Sequence, residues 1–170
     1  RGDGGETELM FGRRVAKNHP RVLALGAIDE FNAALGFAHT HCVHKSELRA
    51  RIVAIQEDLI VLMGEVGTLP GDISKYEEKG FKRFGVDRLK KLDQWILMIE
   101  GKGVHFEGWA LPGSSGDSLA ASLDHARAVC RRAERECIEI SGEIETPILP
   151  YLNRLSDVLW LLARECEAAS

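Results

Sequence analysis

Apolar residues recur every three or four positions along most of this chain, the spacing of helices that pack on one face. Arg21–His44 carries Val22, Leu23, Leu25, Ile28, Phe31, Leu35 and Phe37, with Ala24, Ala27, Ala33, Ala34 and Ala38 between them. Such a helix is apolar on nearly every side, which predicts a central helix or one at a subunit interface. Glu47–Val66 is a second helix with Ile52, Ile55, Leu59, Leu62 and Met63 inward. Val86–Glu100 is a third, with Leu89, Leu92, Trp95, Ile96 and Ile99 on one side and Gly101 and Gly103 to end it. Leu119–Ile140 places Leu119, Leu123, Ala126, Cys130, Ala133, Cys137 and Ile140 on a fourth stripe, with Asp117 or Ser118 as its cap. The fifth helix opens with Thr146 as cap and Pro147 in its first position and runs to Ala168. Ile148, Leu152, Leu155, Leu159 and Leu162 form its core face, while Trp160 and Leu161 add apolar surface outside that stripe.

Two connections lack the helical period. Thr68–Gly85 reads as a polar loop, long enough to be functional. Val104–Asp117 holds Phe106, Trp109 and Leu111, which read as a plug over the core or, alternatively, as ligand contacts. No strand pattern or internal repeat is convincing. The expected fold is all-α, a five-helix antiparallel bundle. It forms a single domain over residues 1–170, with a glycine-rich segment at 1–20 ahead of the bundle at 21–168.

Composition narrows the partners. Net charge is −4, so the whole chain has no attraction for nucleic acid or anionic lipid, and any anion site must be local. No apolar run approaches the roughly 18 residues of a membrane span, and no signal peptide is visible. The four cysteines, Cys42, Cys130, Cys137 and Cys166, fall in helical patterns without paired spacing. They are expected to be reduced and buried, in a reducing compartment: the cytoplasm, or the mitochondrial matrix of a eukaryote.

The chemistry concentrates in Arg127–Arg135, R-A-V-C-R-R-A-E-R, with four arginines and one glutamate in nine residues. Arg127, Arg131 and Arg135 stand one turn apart in a column on one flank of the apolar stripe. Stacked like charges repel, and arginine forks onto phosphate or carboxylate oxygens. The column is therefore either a solvated face or a seat for a polyanion or for carboxylates from elsewhere. Asp29, Glu30 and Asn32 sit mid-way along the all-apolar helix, and a carboxylate buried there needs a cation, which the column supplies. Residues 1–20 combine four glycines in the first twelve positions with Arg13, Arg14 and Lys17. Read alone they fit a disordered tail or a phosphate cradle, and they contain no P-loop motif. His39, His41, Cys42 and His44 scatter around a helix too widely to suggest a metal site.

Together, these motifs resemble the PduO-type ATP:cob(I)alamin adenosyltransferases, also called corrinoid adenosyltransferases. The resemblance rests on G-D-G-G-E-T and F-G-R-R-V-A-K in Gly2–Lys17, A-L-G-A-I-D-E-F-N-A-A-L-G in Ala24–Gly36 and W-A-L-P-G in Trp109–Gly113. It continues through the arginine run to Y-L-N-R-L-S-D in Tyr151–Asp157. It implies a homotrimer with an active site at each subunit interface. Gly2, Asp3, Gly5, Thr7 and Lys17 would bind the triphosphate of ATP, with Arg131, Arg132, Glu134, Arg135 and Asn153 completing the nucleotide site. Asp29 and Arg127 would form an inter-subunit salt bridge, and the corrinoid would lie near Asp29, Phe31 and Trp109. Arg131, Asp29 and Arg127 are the expected catalytic set. The implied reaction moves the 5′-deoxyadenosyl group of ATP to Co(I) of a reduced cobalamin, releasing triphosphate. Mg2+ would be held by the phosphates rather than by protein side chains. A corrinoid reductase and an adenosylcobalamin-dependent mutase are the implied partners. Arg1 stands where the family usually has Thr, Trp109 where it usually has Phe, and Pro112–Ser118 is longer than usual. Those departures keep open a non-catalytic nucleotide- or corrinoid-binding trimer, a chaperone or sensor.

Overall fold

The computed structural model describes residues 4–103 and 109–168. It begins with an antiparallel hairpin, β1 (Glu6–Leu9) and β2 (Arg13–Ala16), followed by α1 (Pro20–Thr40) and α2 (Ser46–Val66). A short helix α3 (Ile73–Glu78) precedes α4 (Val86–Glu100), α5 (Ser118–Ile138) and α6 (Ile148–Ala168). The five long helices coincide with the apolar stripes to within a few residues. The largest shortfall is in α1, which ends at Thr40 and leaves His41–His44 in the connection to α2.

Local chemistry explains two of the helix starts. Pro20 stands in the first turn of α1, where its missing N–H costs nothing, and the His19 ring accepts from the Arg21 amide at 3.2 Å. Asp117 caps α5, its Oδ1 accepting from the Ala120 amide at 2.8 Å.

Two features depart from the sequence expectation. Residues 6–16 form a strand pair, although neither E-T-E-L nor R-R-V-A shows a usable apolar alternation. The polar loop 68–85 contains α3, seated on the core by the buried ring of Tyr76.

Ion pairs fix the helix directions. Arg21, at the start of α1, donates to the Val66 and Thr68 carbonyls at the end of α2 and to Glu143 in the α5–α6 connection. Lys102, just past α4, bonds Glu165 late in α6. Thus α1, α4 and α6 run one way and α2 and α5 the other. The most extensive contacts of α5 are with α1 and α6, which makes it the central helix. The core is built from Phe31, Leu35, Ile55, Leu62, Leu123, Leu155 and Leu159, all fully buried.

Buried charge links the layers. Asp58 of α2 accepts from the Tyr151 hydroxyl of α6 at 3.0 Å and pairs with Arg88 and Lys91 of α4. Burial and the neighbouring Asp58 push the Tyr151 phenol well up from its ordinary value. Asp124 of α5 meets Arg164 of α6 at 2.5 Å, both almost wholly buried. Glu65 gathers the Thr146 hydroxyl at 2.6 Å, the Phe84 amide at 2.8 Å and the Arg83 guanidinium at 3.1 Å.

All four cysteines are reduced and buried. Burial raises their thiols, Cys166 to about 11 and Cys137 to about 12, with Cys130 higher still.

Candidate active site

The arginine run lies in the second half of α5, flanked by α1 and α6, and its members have separate environments. Arg127 is half-buried and approaches Asp124 one turn back at 3.8 Å. Arg132 pairs with Glu30 of α1. Glu134 accepts from the side-chain amide of Asn153 of α6 at 3.0 Å, joining two of the expected nucleotide-site residues. Arg131 and Arg135 are exposed and make no ion pair among the described residues. Two guanidiniums one turn apart, neither in an ion pair among the described residues, form a local positive site on a chain of net charge −4.

Beside them a cleft of about 380 Å³ opens between α4, α5 and α6. Arg127, Arg131 and Arg154 give it three cations, Glu100 and Asp157 two carboxylates, and Trp160 an aromatic wall. Arg154 is held by Asp93 of α4 at 2.8 Å, which leaves Arg127 and Arg131 as the cleft's contribution to an anion.

The N-terminal segment is a built element. Its turn requires a left-handed backbone at Phe11 (φ 60°) and Gly12 (φ 72°), a conformation free for glycine and costly for phenylalanine. The Lys17 amide donates to the Gly5 carbonyl at 2.8 Å, so the glycine-rich entry and the lysine stand side by side at the open end of the hairpin. Lys17 is exposed and Thr7 half-buried, while Gly2 and Asp3 lie outside the described residues. No hydrogen bond or ion pair joins the hairpin to α5 within one chain among the described residues. Among the described residues, the two expected halves of the nucleotide site are therefore not linked within one chain.

On α1 the structure corrects three expectations. Leu23 and Phe37 are 48% and 57% exposed, so the helix is not buried all round in a single chain. They mark an outward stripe with Gly26, Asp29, Glu30 and Ala33, carboxylates in its middle and apolar residues at its ends. Asp29 is exposed, so the single chain supplies no desolvation demand for a cation, and the carboxylate that meets the arginine run internally is Glu30. Phe31 is wholly buried in the core on the inner face of α1, so its ring reaches no surface ligand.

In the α4–α5 connection, Trp109 is 99% exposed and Leu111 71%. Neither plugs the core, which corrects that expectation; Phe106 lies outside the described residues. The histidines at the end of α1 engage local groups: His39 accepts from Arg49 at 2.8 Å, and the His41 ring sits 3.0 Å from the Phe37 carbonyl.

Comparison with known proteins adds the family. The sequence model of the cobalamin adenosyltransferases matches residues 1–166. The chain is 35% identical to a cobalamin adenosyltransferase of Cupriavidus metallidurans, over 96% of this chain and 83% of that protein. It is 34% identical to the corrinoid adenosyltransferase PduO of Salmonella typhimurium over 96% of its length, but spans only 47% of that relative. It is 30% identical to the human corrinoid adenosyltransferase MMAB, spanning 65% of it. Among solved structures, a variant PduO-type ATP:corrinoid adenosyltransferase from Lactobacillus reuteri, complexed with cobalamin and ATP, superposes with a TM-score of 0.86. That pair is 29% identical, and the match covers 99% of this chain and 89% of the other.

Proposed function

The chain belongs to the cobalamin adenosyltransferase family, and on that premise we propose that it transfers the 5′-deoxyadenosyl group of ATP to the cobalt of a reduced corrinoid. The observation that carries the residue-level reading is the pair of exposed arginines, Arg131 and Arg135, that make no ion pair among the described residues, beside the Glu134–Asn153 bond.

In this reading residues 1–170 act as one domain and three copies assemble. The hairpin of one copy, with Gly5, Thr7 and Lys17, closes over the arginine helix of its neighbour. This supplies a link that the described residues of one chain do not make. The outward stripe of α1 is the seam, and Asp29 of one subunit meets Arg127 of the next. Arg127 has only a 3.8 Å contact with Asp124, so it can take up a second carboxylate. Apolar Leu23 and Phe37 flank the pair and lower its dielectric.

The substrate's Co(I) is the nucleophile and attacks C5′ of the ribose; the C5′–O bond to the triphosphate breaks as the Co–C bond forms. No protein nucleophile or general base is required. The tasks left to the chain are to hold the reacting atoms in line and to neutralise charge on the leaving triphosphate. Arg131, Arg135 and Lys17 supply fixed positive charge, and Arg132 contributes from its place beside Glu30. Mg2+ carried by the phosphates would add further neutralisation. Trp109, fully exposed on its connection, supplies an aromatic face to the corrinoid in the assembled site. The soluble corrinoid reductase and the mutase expected to exchange substrate and product would meet this face.

The direct test is incubation with ATP, Mg2+ and chemically reduced cobalamin, followed by absorbance for the Co–C bond and by assay for triphosphate. Equimolar product and triphosphate are expected. Pyrophosphate and phosphate released separately would contradict direct displacement. A second expectation concerns the seam: Asp29→Asn keeps the fold, since Asp29 is exposed, but lowers turnover about tenfold. Unchanged turnover and unchanged sedimentation would remove the Asp29–Arg127 pair from the reading.

A further inference from the structure

The hairpin that carries Lys17 is too small to hold its own shape, because an isolated two-stranded hairpin is marginal in water. Three contacts fix it to the stretch that runs from the end of α2 into α3. Arg13 clasps Asp72 through two parallel bonds, Nε and Nη2 each 2.7 Å from a carboxylate oxygen. The Met10 amide donates to the Gly67 carbonyl at 2.9 Å. The Lys75 ammonium of α3 sits 4.7 Å from the centre of the Phe11 ring, and Leu9 is buried.

The two ends of the clasp differ. Arg13 is more than half exposed and Asp72 is nearly buried, so the arginine reaches from the surface onto a carboxylate held within the fold. Arg13 holds the Asp72 carboxyl below the usual carboxylate range, and Asp72 raises the Arg13 guanidinium. A bidentate fork fixes direction as well as distance, which an ordinary surface ion pair does not. The receiving segment is itself rigid. Its Val66 and Thr68 carbonyls are gripped by the buried Arg21, and the Thr68 hydroxyl bonds back to Gly64 at 2.8 Å.

We infer that Arg13 and Asp72 form a positioning clamp for nucleotide binding: the pair sets the height and tilt of the hairpin so that Lys17 and the glycine-rich entry meet the triphosphate. This rests on the reading that the hairpin binds ATP. Neither residue touches substrate. They act through Lys17, four residues along the same strand pair and joined to the open end by its bond to Gly5. The clamp therefore governs ATP capture and leaves the chemical step and corrinoid binding alone. It also gives α3 a purpose beyond covering the core, because Lys75 and Asp72 belong to the same turn of chain.

The test uses the full chain with steady-state kinetics in both substrates. Arg13→Gln, on the exposed side of the pair, and Asp72→Asn should each raise the KM for ATP about tenfold. The kcat at saturating ATP and the KM for cobalamin should stay within twofold. Arg13→Lys, which keeps the charge and loses the fork, should fall between. In Arg13→Gln, amide hydrogen exchange over residues 6–16 should speed up while the helices keep their protection. An unchanged ATP KM in Arg13→Gln overturns the clamp, as does a fall in kcat at saturating ATP or an equal rise in the KM for cobalamin. Lys17→Ala separates the two readings. If it raises the ATP KM and Arg13→Gln does not, only the clamp fails. If Lys17→Ala also leaves ATP capture intact, the hairpin is not a nucleotide element and both fail.

Discussion

Arg131→Ala should reduce adenosyl transfer by about 10²–10³ in kcat, the usual cost of removing one preorganised group that stabilises developing charge. Its side chain is exposed and makes no ion pair among the described residues, so its removal breaks no internal bond. The melting temperature and the oligomeric state should therefore match the parent protein. Arg131→Lys should recover part of the loss, because lysine keeps the charge but presents a point where arginine presents a fork. The measurement is single-turnover formation of the Co–C bond with ATP well above its KM. Turnover within twofold of the parent would detach the arginine helix from the chemistry. A large fall in melting temperature would show instead that Arg131 is structural.

The second large effect is on stability and lies away from the site. Asp58→Ala should cost about 3–5 kcal/mol, as for other buried charge networks broken on one side. Three partners lose their acceptor at once: Arg88, Lys91 and the Tyr151 hydroxyl. The two cations can turn toward solvent, which places the cost at the low end of that range. Tyr151 cannot, since it is fully buried against Phe84, their ring centres 4.8 Å apart. For a chain of this size about 3 kcal/mol lowers the midpoint of thermal unfolding by about 6–12 °C, readable by calorimetry. Adding Tyr151→Phe to Asp58→Ala should recover about 1–2 kcal/mol by removing the orphaned hydroxyl. A double variant no more stable than the single one would mean that Tyr151 finds another partner.

The long helices were legible because their cores are self-consistent: in α5 the stripe from Leu119 to Cys137 needs only a period of 3.6 to be read, and each of its members is buried. The hairpin was not legible because its strands have almost no core. Of their eight residues only Leu9 is buried, and the clasp that holds them reaches 59 positions along the chain to Asp72. No local pattern encodes a contact of that span. The arginine run was visible as a charge anomaly, but its division into paired and unpaired members depended on neighbours. Arg132 is met by Glu30 from α1, while Arg131, one residue earlier, is left to solvent. Phe31 and Asp29 exchanged their expected surroundings because a helix rich in apolar residues does not declare which side is inner. The phenylalanine faces the core and the carboxylate faces out. The exposure of Trp109 is hidden from the sequence for a related reason: an aromatic ring in an irregular connection gives no period from which burial can be inferred.

The burial of every thiol has a use outside catalysis. With the four sulfurs out of reach and their protons held tightly, the protein should ignore maleimides and iodoacetamide at neutral pH. It is thus a silent background for site-specific labelling, with no native cysteine to remove first. A thiol introduced at the exposed Ser74 of α3 would carry a fluorophore within a few residues of the hairpin's anchor. If the hairpin takes the nucleotide as proposed, its emission would report that arrival directly, before any change at the cobalt.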